Sequence, residues 1–214
     1  MNYLAHLYLS GESDELLIGN FIGDSVKGKQ YLHYAKEVQR GVILHRQIDS
    51  FTDNHPLVKQ CSHRFRQNYG RYSGIVSDIV FDHFLAKYWQ AYSIYNLPWF
   101  SGHVHAVLLS HFSGLPLKVK SFLPFFIKQK RLESYAHFEG IRQTLEIMGR
   151  RTSMPEESEF AMKVLYEEFF LIKAAFEEFF LELIYFVENS FGVEIKRPVG
   201  QGLHSKPVTV HTNS

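Results

Sequence analysis

GVILHRQIDSFTDNHP (residues 41–56) and SGIVSDIVFDHFLAKYW (residues 73–89) decide how this chain reads, with a basic connector between them. Each apolar piece fits a helix whose neighbouring side chains lie at i+3 and i+4. In the second, Ile75, Ile79, Leu85, Ala86 and Trp89 fall on one stripe, and Asp78 and Asp82 fall on it too. In the first, Leu44 and Ile48 share a stripe with His45 and Asp49. Two inward faces thus carry carboxylates and an imidazole where a core would take leucine. Asp is a weak helix former, and a buried carboxylate must pair, protonate or bind metal. Asp and His gathered inside a helical bundle point to a metal site; a buried ion-pair network is the competing reading.

Upstream, residues 2–11 are short and apolar, and His6 is their one side chain that titrates near neutral pH. It reads as a satisfied core histidine or as an additional ligand. A helix over 14–27 begins at Ser13 as N-cap with Asp14 and Glu15 in its first turn. It sets Asn20 and Asp24 four apart on one face, and Asp24 is the third carboxylate of the site. Gly19 and Gly23 weaken that helix and are tolerated where another backbone or a substrate must come close. The first site helix, 36–53, ends at Asn54-His55-Pro56, because the residue before proline avoids helical angles. Asp53 either reaches the site or caps the helix that starts near Pro56, and His55 is a further possible site residue. Residues 56–69 form a basic helix stopped by Gly70, and 72–93 form the second site helix. His83 follows Asp82 directly and points about 100° round from it, so it ligates only a metal placed between the two.

Downstream the pattern stays helical: roughly 98–112, then LKVKSFLPFFIKQKRL, kinked or split at Pro124, then 134–149. SMPEESEF opens a long aromatic helix to about residue 188, whose Phe169, Phe176, Phe179, Leu183 and Phe186 read as core. From Gly192 onward Gly, Pro, Ser, Thr and Val lack periodicity, which predicts a loose tail over 192–214. No stretch alternates as a strand, no repeat recurs and no Gly-rich phosphate loop is present. The expectation is a single all-α bundle over 1–191.

With 214 residues and 45% hydrophobic content, the chain can bury a sizeable core without staples. The single cysteine, Cys61, leaves no partner for an internal disulfide and fits a reducing compartment. The start lacks a basic region and a small-residue cleavage site, so no signal peptide is expected. No apolar run is long enough to span a membrane. A soluble cytoplasmic protein is expected, with neither nucleic acid nor membrane as partner; the oligomeric state stays open. All six aspartates precede residue 83, whereas 54–77 and 84–132 contain no acid at all. The second of these stretches carries Lys118, Lys120, Lys128, Lys130 and Arg131. Basic stretches flanking an acidic cluster suggest an anionic substrate or partner.

MNYLAHLYLS, GNFIGDSVKG, GVILHRQIDSFTDNHP and SGIVSDIVFDHFLAKYW together resemble the acyl carrier protein phosphodiesterases. The resemblance runs motif by motif through residues 1–92 and continues as a weaker Phe-rich pattern to about 190. It implies metal-dependent hydrolysis of the phosphodiester joining 4′-phosphopantetheine to a serine of the holo-carrier. It also implies an all-α fold akin to the HD-type phosphohydrolases, and manganese as the favoured ion. The implied functional positions are Asp24, His45, Asp49, Asp78, Asp82 and His83. Ser25 and Lys27 depart from the apolar residue and arginine expected in the second motif.

Within that reading Asp24, His45, Asp78 and Asp82 are the first-choice ligands. Oxygen-rich ligands with some imidazole suit Mn²⁺ or Mg²⁺, and less specifically Fe²⁺ or Zn²⁺. His83 is either a ligand or the acid that protonates the departing serine oxygen. Asp49 either ligates or orients His45, and Arg46 is placed to hold a phosphate oxygen. The acidic carrier protein would meet the basic stretch from Lys118 to Arg131. Two other classes stay open: a metal phosphohydrolase acting on a nucleotide or another phosphodiester, and a non-catalytic helical binding protein.

Overall fold

In the computed structural model, which describes residues 1–198, every regular element among the described residues is a helix. The α-helices are α1 (Tyr3–Tyr8), α2 (Asp14–Ile22), α3 (Lys36–Asn54), α4 (Pro56–Tyr69), α5 (Ser73–Lys87) and α6 (Leu97–Ser110). They continue with α7 (Leu117–Lys128), α8 (Arg131–Ser134), α9 (Phe138–Arg151), α10 (Ser158–Glu167) and α11 (Phe169–Phe191). The all-α expectation holds. Their buried side chains form one continuous cluster, and no helix among the described residues is long and apolar enough to cross a membrane.

Ser13 Oγ accepts the Leu16 amide at 3.2 Å, so α2 starts where its N-cap and early acids place it. It stops sooner than its sequence suggests. Gly23–Ser25 tightens into a 3₁₀ turn, which lifts Asp24 off the face it would share with Asn20. The two glycines expected to admit a close neighbour do so. A methyl on Gly19 would strike the carbonyl of Val38, and one on Gly41 the carbonyl of Leu16, so α2 and α3 touch backbone to backbone. Gly23 gives the same clearance to the His45 ring. This contact sets α3 against α2 and carries His45 to Asn20.

Helix α4 begins with Pro56 in its first turn and ends at Gly70, whose φ of 51° suits glycine. Its N-cap is His55, and no side chain bonds its first turn. Asp53 therefore does not cap it; the residue is exposed, on the rim of a second, basic concavity with Lys59, Arg66 and Arg71.

Of the two outcomes expected at Pro124, a split is excluded, because α7 runs through it from Leu117 to Lys128. The long aromatic helix is in fact two, α10 and α11, broken at Glu168. The halves have different neighbours: α10 packs on α9 and α4, while α11 lies along α3, α4 and α5. In α11, Phe176, Phe179, Phe180 and Leu183 are fully buried, each stabilising the fold by about 1.5–3 kcal/mol. Past α11, Val193 and Ile195 are buried as well, and Arg197 bonds Glu188 at 2.8 and 2.9 Å. The rest of the expected tail, 199–214, lies outside the described residues.

Candidate metal centre

His6 on α1 and His45 on α3 stack face to face, with ring centroids 4.1 Å apart. Asp49, one turn beyond His45, reaches both: its Oδ1 lies 3.1 Å from His6 Nε2 and its Oδ2 3.1 Å from His45 Nε2. Ligand atoms of these three residues all lie within 4.8 Å of one another.

Asn20 decides what the two rings present. Its amide nitrogen donates to the His6 carbonyl (2.6 Å) and to Ser10 Oγ (3.0 Å), which fixes the amide orientation. Its Oδ1 is then an acceptor 2.8 Å from His6 Nδ1, so Nδ1 must carry the proton. Its backbone carbonyl sits 2.8 Å from His45 Nδ1 and demands the same of that ring. Both imidazoles consequently turn Nε2 toward the shared centre. His6 Nε2 faces two oxygens, Asp49 Oδ1 and the Met1 carbonyl, each at 3.1 Å. His45 Nε2, also buried, faces two carboxylate oxygens, Asp49 Oδ2 at 3.1 Å and Asp24 Oδ1 at 3.5 Å. Lone pairs aimed at oxygens repel unless each ring gains a second proton or a cation lies between them.

Protonating both rings is disfavoured. Burial lowers His6 to about 4, with the neighbouring His45 adding to the shift against the opposing pull of Asp49. For His45, burial works against the charge, but hydrogen bonds to Asp24 and Asp49 outweigh it and raise the ring to about 9. Burial alone would raise Asp49; its bonds to His45 and His6 hold it well below the usual carboxylate range. Near neutral pH the cluster thus has one proton for two Nε2 atoms. A divalent cation satisfies both nitrogens and the carboxylate together, and the donor set fits one.

Other expected residues surround this group. Asp24, largely exposed in its 3₁₀ turn, has Oδ1 3.5 Å from His45 Nε2, and that bond lowers its pKa. Asp78 Oδ1 lies 3.4 Å from the Met1 amino group, which is also 3.6 Å from Asp49 Oδ1. A positive group therefore stands where these two carboxylates converge. Burial raises Asp78 to about 6.

Asp82 does not join them. Its Oδ2 accepts the Leu4 amide at 2.7 Å and its Oδ1 the Ala5 amide at 3.1 Å, so the carboxylate caps α1 from across the core. First-turn amides are unsatisfied donors at the positive end of a helix, and they claim the nearest buried carboxylate. Burial still pushes Asp82 up to about 7, against those two bonds. By clamping α1, Asp82 positions His6. His83 is also misplaced for the roles expected of it. Its Nδ1 donates to the Tyr135 carbonyl at 2.7 Å, its ring packs beside Phe84 and Phe138, and burial lowers it to about 4. The one proton of this neutral ring is engaged by the Tyr135 carbonyl, and His83 does not line the cavity that opens beside His6 and His45.

Arg46 donates through Nη2 to the carbonyls of Val26 (3.0 Å) and Gly28 (2.8 Å) and lies over Tyr31, bracing the loop after Asp24. His55 pairs with Glu182 at 3.2 Å and joins the α3–α4 junction to α11. On α7 and its exit, Lys118, Lys128 and Lys130 are exposed, whereas Lys120 donates to the Ser113 carbonyl and Arg131 to Thr144 Oγ1, both at 2.7 Å. Reasoning from sequence underweighted His6 and Asn20. Spacing cannot find them, since they lie 39 and 25 residues before His45, but a histidine and an asparagine on apolar stripes were the available signal. A cavity of about 370 Å³ opens from His6, His45 and Asp24 and runs between α5, α7 and α9.

The model of the family described as acyl carrier protein phosphodiesterase matches residues 1–183. The acyl carrier protein phosphodiesterase of Photorhabdus laumondii subsp. laumondii is 38% identical over 152 residues, which cover 71% of this chain and 77% of that protein. The protein of the same name from Yersinia pestis is 36% identical, covering 71% and 79%, and that from Serratia proteamaculans is 34% identical over the same shares. No solved structure matches the chain. Helical fold, His–Asp centre and matched relatives agree: the chain belongs to the acyl carrier protein phosphodiesterase family.

Proposed function

We propose that this chain is a metal-dependent phosphodiesterase that cleaves the phosphodiester between 4′-phosphopantetheine and the carrier serine, releasing apo-carrier. The observation that carries the metal part is the pair of Nε2 atoms, on His6 and His45, turned by Asn20 toward Asp49 with too few protons to reconcile them. His6, His45 and Asp49 would hold the ion, with Asp24 and Asp78 at the edge of the site. When bound, a divalent ion screens the anionic diester and lowers the pKa of water toward neutrality. Mn²⁺ is the first ion to test, ahead of Fe²⁺, Zn²⁺ and Mg²⁺.

The chain's own groups do the positioning. Asn20 fixes both imidazole tautomers, Asp82 anchors the helix that carries His6, and Asp49 bridges the rings. Asp24, exposed beside His45, faces the side from which a macromolecular substrate arrives. We assign the basic, partly apolar surface of α7, with exposed Leu117, Phe125, Lys118, Lys128 and Lys130, to the acidic carrier. Residues 1–191 constitute the phosphodiesterase domain, and a single cysteine, Cys61, fits work in the cytoplasm. The test is calorimetric titration of purified protein with Mn²⁺, paired with mass measurement of holo-carrier turned to apo-carrier. Absence of metal binding, or carrier cleavage that persists in chelator, defeats the reading.

A further inference from the structure

The cavity beside the metal centre has a lining of three kinds. His6, His45, Asp24 and Asp78 belong to the His–Asp side. Apolar walls come from Phe122 and Phe126 on α7, Ile75 and Ile79 on α5, and Ile147 and Met148 on α9. Gln129, Arg131, Thr144 and Arg151 add polar and basic groups, and Asp24 and Asp78 are the only carboxylates among the described residues that line it. Arg131 is held in place by its bonds to Thr144 Oγ1 and Gln129 Oε1, which leave guanidinium donors to spare.

An apolar trough next to an anion-handling centre is out of keeping with a site that takes only phosphate. It suits a substrate whose charge is confined to one end and whose remainder is neutral. Pantetheine has that character: a geminal dimethyl group, two amides whose carbonyls accept hydrogen bonds, and a thiol. The volume, about 370 Å³, lies within the range of small-molecule sites, about 300–1,000 Å³. Resting on the phosphodiesterase reading above, we propose that this cavity is the subsite for the pantetheine arm. The diester sits at the His–Asp side, the dimethyl group packs on Phe122, Phe126 and Ile79, and the amide carbonyls meet Gln129 and Arg131. Binding energy from this remote, unreacting arm would then hold the diester in place for cleavage.

Two measurements on the full chain test this. In the first, pantetheine is titrated into Mg²⁺-loaded protein with methyl-labelled Ile and Met. Ile75, Ile79, Ile147 and Met148 should shift, while Ile172 and Ile184, buried in α11, should not. In the second, Ile75→Trp pushes bulk into the cavity from a rim position that is 39% exposed, so the core is spared. Wild-type protein should favour holo-carrier over a carrier whose serine phosphate bears only a methyl ester by about 100-fold in kcat/KM, the scale of lost positioning. Ile75→Trp should erase that preference, with melting temperature and metal titration reporting an intact fold and centre. No shift at the four methyls, a variant that still prefers holo-carrier, or wild type cleaving both carriers equally overturns the arm subsite and leaves the phosphodiesterase reading standing. Shifts at the four methyls in a protein that cleaves neither carrier uphold the subsite and defeat the phosphodiesterase reading instead.

Discussion

Helices α3 and α5 look alike as sequences and are used differently in the fold. Each carries a pair of polar side chains four apart on an otherwise apolar stripe: His45 and Asp49 on α3, Asp78 and Asp82 on α5. On α3, His45 lines the cavity and Asp49 bridges it to the His6 ring. The α5 pair is divided. Asp78 stays at the cavity edge, while Asp82, fully buried, is consumed by the amides that start α1. A buried carboxylate needs a positive partner, and what differs between the helices is the partner each meets. On α3 it is the protonated His45 ring; on α5 it is the end of another helix. A shared motif therefore does not imply a shared role.

Substitution should separate these roles. Asp49→Ala removes the bridge between His6 and His45 and should lower divalent-metal affinity by more than the about 10–100-fold typical of an outer partner. Activity should be lost while circular dichroism shows a folded helical protein; metal affinity within a few-fold of wild type would break the comparison. Asp82→Ala leaves two buried amides unsatisfied and should destabilise by about 2–5 kcal/mol, read from denaturant unfolding of metal-free protein. Little change in stability with abolished metal binding would return Asp82 to the ligand set.

A milder change sharpens the contrast. Asn20→Ala frees His6 Nδ1 from its acceptor and should weaken metal binding by about 10–100-fold through ring orientation, checked by calorimetry. Titration of metal-free protein offers a fourth test. His45, at about 9, holds a proton at neutral pH that a cation must displace, whereas His6, at about 4, holds none. Metal affinity should rise about tenfold per pH unit between pH 6.5 and 9 and then level off, with one proton released per ion. In the metal-free protein the raised His45 pKa contributes stability that is present below 6.5 and lost as pH climbs through 9. Release of two protons, or none, would contradict the assigned protonation. The smallest effect is expected on α7. Reversing charge at Lys128 and Lys130 should lower kcat/KM for the carrier and flatten its salt dependence, with stability changed by no more than about 0.5 kcal/mol.

Much of this was legible in the linear chain. Apolar spacing, Ser13, Pro56 and Gly70 set the site helices, because capping and periodicity act within a few residues. The same local signals missed the break at Glu168, where neighbouring helices outweigh propensity. His45, Asp49 and Asp24 could be read from the motifs as site residues. Which atoms they face was beyond that reach. His6 comes to the centre because Asp82 grips α1, and both rings point inward because Asn20 offers one oxygen from its side chain and another from its backbone. The sequence by itself determined the helices and the supply of carboxylate and imidazole, since period and composition are local properties. Only the tertiary structure decided which carboxylate meets the rings and which meets a helix end, because that choice depends on which buried positive partner lies nearest in space.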